Sequence, residues 1–270
     1  MNLKSLSKQV LMEINKFEKQ YDIHVYDSGP DGTLNLHSLF DFYQDAAACH
    51  AVKLGYGRDD LLRTNRLWIL SRIYSVIYKL PYQSGSVIVE TWPKGIEKLF
   101  ALRDYVVRST SGELMAAATS SWLIIDQVTK RICRPDNTLE GYRPESAGIN
   151  SLPRNASKLN LEEDNMKPMS QFRVRVSDLD VNLHSNNVKY IKWAVDSYSL
   201  DFVMNKIPNS VEINYLAESW FDDGITVMGT ERSDDGLSFD HLILRSQDNT
   251  ALCRIRIAWK EKTASKSNVK

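Results

Sequence analysis

The four residues Asn-Leu-His-Ser occur twice in this chain, at 35–38 and at 182–185, 147 positions apart (184 minus 37). A duplicated unit should match in more than one place and in the same order. Apolar residues follow both copies at helical spacing: Leu39, Phe42 and Ala46 after the first, and Val188, Ile191 and Val195 after the second. The repetition therefore predicts two copies of one unit, each with an amphipathic helix.

Each unit also carries the same order of strand patterns. Runs rich in Val, Ile, Tyr and Trp alternate with turn signals such as TSGE and SDDG. Trp122 and Trp259 fall at matching places, 137 positions apart (259 minus 122). The strands are predicted at 67–78, 86–92, 99–109 and 113–126, and again at 171–176, 211–218, 225–231, 237–246 and 251–260. One strand, one long helix and four strands is the predicted order in both units.

A sheet of this kind has one apolar face to cover, and the long helix of each unit is available to cover it. The predicted fold class is therefore α+β, with two antiparallel sheets, each wrapped around one long central helix. At roughly 150 residues per domain, 270 residues suit two domains. Residues 135–168 are rich in proline and poor in large apolar residues. We predict domains at 1–134 and 169–270, joined by a linker at 135–168.

Composition narrows the classes of function. Hydrophobic residues make up 43% and charged residues 25%, as in folded globular proteins. Lys plus Arg equals Asp plus Glu at 34 each, so no overall field favours nucleic acid as a partner. The sequence shows neither a signal-peptide pattern nor the ~20-residue apolar run of a membrane span, which predicts a cytoplasmic protein. Cys49, Cys133 and Cys253 are widely spaced, which favours buried thiols over a disulfide or a zinc site.

Residues 178–189 read DLDVNLHSNNVK, and with the YIKW that follows they closely resemble the signature of the acyl-acyl carrier protein thioesterases of plants and bacteria. In the first half, LFDFYQDAAACHAVKLGYG, RLWILSRIY and VETWPKG are similar to the N-terminal part of that family. The resemblance implies a tandem double hotdog fold, in which each curled sheet wraps one helix. It also implies hydrolysis of the thioester between a fatty acid and the phosphopantetheine arm of acyl carrier protein, which ends chain elongation in fatty acid biosynthesis.

The resemblance also assigns candidate catalytic residues, all in the C-terminal half. The family's DxNxH pattern falls on Asp180, Asn182 and His184, and its glutamate falls on Glu218 within INYLAES. The plant pattern has a cysteine after that glutamate, once proposed as a nucleophile, whereas this chain has Ser219. Because a serine nucleophile needs a dedicated base, covalent catalysis through Ser219 is the less favoured branch.

These residue types suit thioester hydrolysis, which needs an activated water, a polarised carbonyl and a stabilised oxyanion. We expect Asp180, Asn182 and His184 to alternate along an extended segment and so to point the same way. The hypothesis is that Glu218 and His184 activate and position the water, that Asn182 holds the carbonyl, and that Asp180 orients its neighbours. The sequence leaves open which carboxylate takes the proton.

A helix start is predicted directly after the motif. Ser185 or Asn186 should cap a helix that begins near Asn187, and the positive end of its dipole favours a developing negative charge. Taken alone, an acid or amide before a helix is more often a cap or turn residue than a catalytic one. The grouping and the family resemblance together favour the catalytic interpretation.

The first copy of the motif is predicted to lack the chemistry. Aligned at the offset of 147, it keeps an amide at Asn35 and an imidazole at His37, but has Thr33 in place of the acid. Aligned on the turn glycine of each unit, it has Lys79 in place of the glutamate. We therefore expect the N-terminal half to form the acyl-binding cavity, with Asn35 and His37 structural.

The predicted activity is that of a thioester hydrolase acting on fatty acyl-acyl carrier protein, with no metal and no diffusible cofactor. Two internal hotdogs already form the pair that single-hotdog proteins make by dimerising, so both a monomer and a homodimer stay open. The nearest alternative enzyme is an acyl-CoA thioesterase, whereas a dehydratase would release no thiol. A non-catalytic module that binds acyl chains or carrier protein is disfavoured by Asp180 and Glu218, because an apolar tail requires neither acid.

Overall fold

The computed structural model describes residues 16–138, 149–233 and 235–262. Residues 1–15 of the predicted N-terminal domain, residues 139–148 of the predicted linker and residues 263–270 lie outside the described residues. The described chain divides into two compact units. The first unit holds residues 16–138, 149–158 and Glu212–Tyr215, and the second holds Leu159–Val211, 216–233 and 235–262. The domain bounds predicted from the sequence stay a proposal.

The first unit is an antiparallel sheet with a long helix. Its strands are β1 (Phe17–Asp22), β2 (Arg66–Ile77), β3 (Ser86–Glu97), β4 (Phe100–Ser109), β5 (Leu114–Asp126) and β6 (Ile132–Cys133). Its helices are α1 (Leu36–Lys53), α2 (Arg58–Leu62) and α3 (Pro135–Thr138). The strand order is β1-β3-β4-β5-β2, and β6 pairs with β5. All four strands predicted after the long helix are confirmed.

The second unit repeats this order of elements. Its strands are β7 (Lys167–Arg173), β8 (Lys206–Tyr215, of which Glu212–Tyr215 is grouped with the first unit), β9 (Gly224–Glu231), β10 (Ser238–Arg245) and β11 (Thr250–Glu261). Its helices are α4 (Asn187–Val195) and α5 (Leu200–Asn205). The strand order is β8-β11-β10-β9-β7. All five strands predicted for this half are present, with ends that differ by a few residues.

The central helices of the two units differ in length. α1 has 18 residues, whereas α4 has 9 and is followed by the short α5. The break comes at Asp196, and the Ser199 hydroxyl caps α5 by accepting the N–H of Phe202 at 3.2 Å. Aspartate and serine compete with a helix through such local bonds, while the alanines of α1 favour continuation. The predicted long helix is thus one helix in the first unit and two in the second.

The apolar stripes predicted for both helices form the cores. Leu39 and Ala46 of α1 are buried, as are Val188 and Ile191 of α4. Each stripe lies against the sheet of its own unit, which is the arrangement that an amphipathic helix on one sheet face requires. Among the described residues, no helix is long and apolar enough to cross a membrane.

Hydrogen bonds align the two units at an offset that differs from the one given by the repeated letters. Asn35 is the N-cap of α1 and Asn186 the N-cap of α4. Each donates its N–H, at 2.8 Å, to the last residue of the preceding 3-10 turn, Asp27 or Asp178. The structural offset is therefore 151 (186 minus 35), and the predicted 147 is wrong by four residues. Because four residues make about one helical turn, the apolar stripe fits both offsets.

The loops before the helices confirm this alignment. Gly29 donates its N–H to the carbonyl of Thr33 at 2.8 Å, as Asp180 does to the carbonyl of His184 at 2.8 Å. On the next segment, the carbonyls of Pro81 and Ser219 accept equivalent N–H groups at 2.8 and 2.9 Å. The first-unit residues that match Asp180, Asn182, His184 and Glu218 are thus Gly29, Asp31, Thr33 and Leu80.

The first unit therefore keeps none of the four candidate catalytic side chains. The sequence-based match to Thr33, Asn35, His37 and Lys79 is corrected accordingly. Asn35 and His37 instead belong to the start of α1, as its N-cap and its second residue. The repeated Asn-Leu-His-Ser occupies a helix start in one unit and a loop in the other.

Candidate active site

Asp180, Asn182 and His184 lie in a tight turn rather than along an extended segment. The carboxylate of Asp180 accepts the N–H of Asn182 at 2.7 Å and that of His184 at 3.3 Å. The N–H of Leu183 donates to the Asp180 carbonyl at 3.0 Å, which closes the turn. The predicted alternation is wrong, because an aspartate that binds the N–H groups after it favours a turn over a strand.

Leu183 adopts a left-handed conformation at the centre of this turn, with φ of 64°. The matching residue of the first unit is Gly32, with φ of 76°, which suits a residue without a Cβ. For leucine the same conformation costs roughly 1–2 kcal/mol. The second unit therefore holds strain in the loop that carries its acid, amide and imidazole, as functional sites often do.

The turn brings the imidazole to the glutamate on the neighbouring segment. His184 Nδ1 lies 3.2 Å from Glu218 Oε1. A backbone bridge joins His184 to Trp220, two residues beyond the glutamate, and the two rings pack with their centroids 4.7 Å apart. Asn182 Nδ2 donates to Asp180 Oδ2 at 3.4 Å. All four residues predicted for the site thus lie in one connected cluster within the second unit.

The cluster is open to solvent. The side chains of His184 and Glu218 are 33% and 45% exposed, and Asn182 is exposed. A polar pair with this exposure contributes at most about 1 kcal/mol to folding, because water screens it. The pair therefore does little for stability, and its separation is within the reach that proton transfer requires.

Ser219 lies beside the cluster, but its hydroxyl is occupied. The residue is fully buried, and its Oγ lies 2.9 Å from the Tyr190 hydroxyl and donates to Ser185 Oγ at 2.8 Å. The Ser219 carbonyl also accepts the N–H of Ser185 at 2.9 Å. These bonds connect the segment of Glu218 to the start of α4. They give the serine a structural position.

The helix start predicted after the motif is confirmed. α4 begins at Asn187, and the side chain of Asn186 accepts the N–H of Val188 at 3.2 Å. The turn of Asp180 and His184 comes directly before this N-terminus in the chain. The N–H groups of the first helical turn carry the positive end of the dipole.

Two residues of the cluster were missed from the sequence. Trp220 covers the His184 ring, and the Arg245 guanidinium donates to the Glu218 carbonyl at 2.7 Å. A tryptophan next to Glu-Ser and an arginine at a strand end were the only local signals. Within the described residues, no three His, Cys, Asp or Glu side chains are grouped so as to hold a metal ion.

Solved structures share the fold of this chain. An acyl-ACP thioesterase from Bacteroides thetaiotaomicron matches with a TM-score of 0.83 and 23% identity, over 92% of this chain and 99% of that chain. The 12:0-ACP thioesterase from Umbellularia californica matches with a TM-score of 0.77 and 22% identity, over 92% and 98%. The fold is the double hotdog of these thioesterases, as the sequence predicted.

The sequence comparisons identify the family. Residues 14–142 match the acyl-ACP thioesterase N-terminal domain, and residues 161–261 match the C-terminal domain of the same family. The chain belongs to the acyl-ACP thioesterase family. The chloroplastic oleoyl-acyl carrier protein thioesterase 1 of Arabidopsis thaliana is 25% identical over 92% of this chain and 77% of its own length. The chloroplastic palmitoyl-acyl carrier protein thioesterase of Gossypium hirsutum is 27% identical over 93% and 65%.

Proposed function

We propose that this chain hydrolyses the thioester of a fatty acyl-acyl carrier protein, releases the free fatty acid and so terminates chain elongation. The family to which it belongs acts on this class of substrate. The observation that carries the proposal is the His184 Nδ1 to Glu218 Oε1 separation of 3.2 Å, beside the exposed amide of Asn182. An acid and an imidazole within hydrogen-bond reach, open to water, are what hydrolysis without a covalent intermediate requires.

The proposed chemistry uses water as the nucleophile. As the water oxygen bonds to the carbonyl carbon, its proton passes to the pair of His184 and Glu218. The side-chain amide of Asn182 donates to the oxyanion of the tetrahedral intermediate, and such donors lower the barrier because they are already oriented. Collapse breaks the carbon–sulfur bond, and the pair returns the proton to the leaving sulfur. The products are the free acid and the carrier thiol.

Asp180 is proposed to orient the site through the turn it closes. Its carboxylate accepts N–H groups from Asn182 at 2.7 Å and from His184 at 3.3 Å. It therefore sets the positions of the amide and the imidazole relative to each other. Substitutions at Asp180 and Glu218 should identify which of the two carboxylates serves as the base.

The division of labour between the halves is part of the proposal, with residues 1–134 as the acyl-binding hotdog, 135–168 as the linker and 169–270 as the catalytic hotdog. In the first unit, Tyr43 of α1 contacts Tyr105 and lies 3.2 Å from the Ser75 hydroxyl. Ala118 pairs in register with both Tyr105 and Ser75, so its small side chain shares this face. Small residues under the helix suit an apolar tail.

In the second unit, buried and half-buried aromatic rings cluster around Tyr198, close to the start of α5. Tyr198 packs against Phe202 at 4.6 Å, and against Phe239 and Trp259 at 5.2 Å each. The Trp259 indole N–H also donates to the Tyr198 hydroxyl at 3.3 Å. Rings packed beside α5 occupy space that an acyl tail would need there, which favours the first unit as the acyl-binding half.

The test is free-thiol release from medium and long acyl chains, each presented on acyl carrier protein and on coenzyme A. Release from the carrier protein with a chain-length optimum is the expected result. Faster release from coenzyme A would favour the acyl-CoA thioesterase instead. Absence of release from either carrier would overturn the roles of Asn182, His184 and Glu218 and favour a binding module. The cytoplasmic location and a monomeric or homodimeric state stay predictions.

A further inference from the structure

Arg245, the last residue of β10, contacts three acceptors around the active-site segment. Its Nη2 donates to the main-chain carbonyl of Glu218 at 2.7 Å, and its Nε donates to Asp223 Oδ2 at 3.1 Å. Its Nη1 donates to Asp248 Oδ2 at 3.2 Å. Only a guanidinium offers donors fixed in one plane and charged at every working pH. The Arg245 side chain thus connects the backbone of Glu218 to the end of β10.

A second path leads from Arg245 to the imidazole. The Asp223 oxygen that accepts from Arg245 also accepts the N–H of Trp220 at 3.0 Å. The Trp220 ring packs on His184 with centroids 4.7 Å apart. The guanidinium therefore contacts one member of the His184 and Glu218 pair directly through the backbone and reaches the other through Asp223 and Trp220.

The first unit provides an internal comparison. There, Leu80 takes the place of Glu218, and Gly85 takes the place of Asp223, since Ile23 and Val174 donate to these matching carbonyls at 2.9 and 3.0 Å. The last residue of the matching strand β4 is Ser109. The unit without the glutamate thus also lacks the arginine and the aspartate. Arg245 and Asp223 therefore occur in the unit that carries the candidate catalytic residues and are not a general feature of the fold.

We propose that Arg245 is a positioning residue for thioester hydrolysis, which sets the Glu218 carboxylate and the Trp220 ring against the His184 imidazole. The inference rests on the proposed function, because it gives Glu218 and His184 the chemistry. Arg245 contacts neither the substrate nor a reacting atom in this role. Its removal should therefore change turnover more than substrate binding.

The first test compares Arg245→Gln and Arg245→Lys with Arg173→Gln. Arg173, the last residue of β7, donates to the carbonyl of Asp222 at 2.9 Å, so the control removes an arginine that binds the segment after Glu218 but contacts neither Glu218 nor Trp220. A misplacement of about 1 Å can cost about 10²-fold, so kcat of Arg245→Gln should fall by about that factor, with KM nearly unchanged. Arg245→Lys should fall between Arg245→Gln and wild type. The Arg173 variant should keep wild-type kcat.

A double-mutant cycle separates positioning from a general loss of structure. Because Arg245 positions both members of the pair, Arg245→Gln should reduce kcat strongly in the wild type and clearly less in the Glu218→Gln background, where only His184 is left to position. Equal losses in both backgrounds, or a wild-type kcat for Arg245→Gln, would overturn the inference while leaving the proposed function intact. If the wild-type chain releases no thiol from any acyl carrier, the proposed function fails, and the inference fails with it.

Discussion

The Nδ1 atom of His184 lies 3.2 Å from the Oε1 atom of Glu218, although 34 positions separate the two residues (218 minus 184). Two features produce this separation. The turn closed by Asp180 presents the imidazole, and the backbone bridge between His184 and Trp220 brings the second segment alongside. The site therefore depends on loop geometry at the start of α4 as much as on the identity of its side chains.

Replacement of His184 by alanine should lower kcat by about 10²–10⁴-fold, because the water then loses one partner in proton transfer. His37→Ala is the matched comparison, since His37 is the other histidine of the repeated motif and lies at the start of α1. It should retain activity, as measured by thiol release from acyl carrier protein. A loss in the His37 variant as complete as in the His184 variant would refute the proposed division between the two halves.

Two substitutions at Asp180 should identify which carboxylate is the base. Asp180→Asn keeps an oxygen that can accept the N–H groups of Asn182 and His184, so the turn should persist and kcat should stay within about tenfold of wild type. Asp180→Ala removes the acceptor and should cost about 10²-fold through misplacement. Glu218→Gln should lose about 10²–10⁴-fold if Glu218 shares the base role. Equal, large losses for both Asp180 variants would instead make Asp180 the base.

Much of this arrangement could be predicted from the sequence, and the rest could not for physical reasons. Strand periodicity and the DxNxH signature are local, so the strands of both halves were predicted correctly, and the four residues predicted for the site lie in one cluster. The offset between the two units was predicted wrongly, because a shift of four residues leaves the apolar stripe of a helix on the same face. The turn at Asp180–His184 was not predicted, because the sequence does not show whether the Asp180 carboxylate accepts the N–H of Asn182.

Ser219→Ala should leave thiol release close to wild type, because the hydroxyl is buried among structural hydrogen bonds rather than presented to substrate. The variant should instead lose about 1–3 kcal/mol of unfolding free energy, since Tyr190 and Ser185 each lose a buried partner. Urea unfolding measures this loss, and Ser185→Ala should show a comparable one. Loss of turnover in a folded Ser219→Ala protein would revive covalent catalysis through this serine.

His241 should make the second unit sensitive to acid. Burial lowers the pKa of His241 to about 4, and its ring packs edge-on against Tyr198 at 5.4 Å. Because the folded pKa lies below the unfolded value of about 6.5, this contribution to stability is complete above pH 6.5 and is lost as the pH falls towards 4. The loss should reach about 2 kcal/mol at pH 5.

The check on His241 is urea unfolding at pH 7.5 and pH 5 for the wild type, His241→Phe and His241→Leu. Both variants lack the titrating group, so the stability difference between the two pH values should shrink by about 2 kcal/mol in each. Phenylalanine and leucine fill the site differently, so the two variants should differ in stability at pH 7.5 while sharing the weaker pH dependence. If both lose as much stability at pH 5 as the wild type does, acid sensitivity arises elsewhere, and burial of His241 is not its cause.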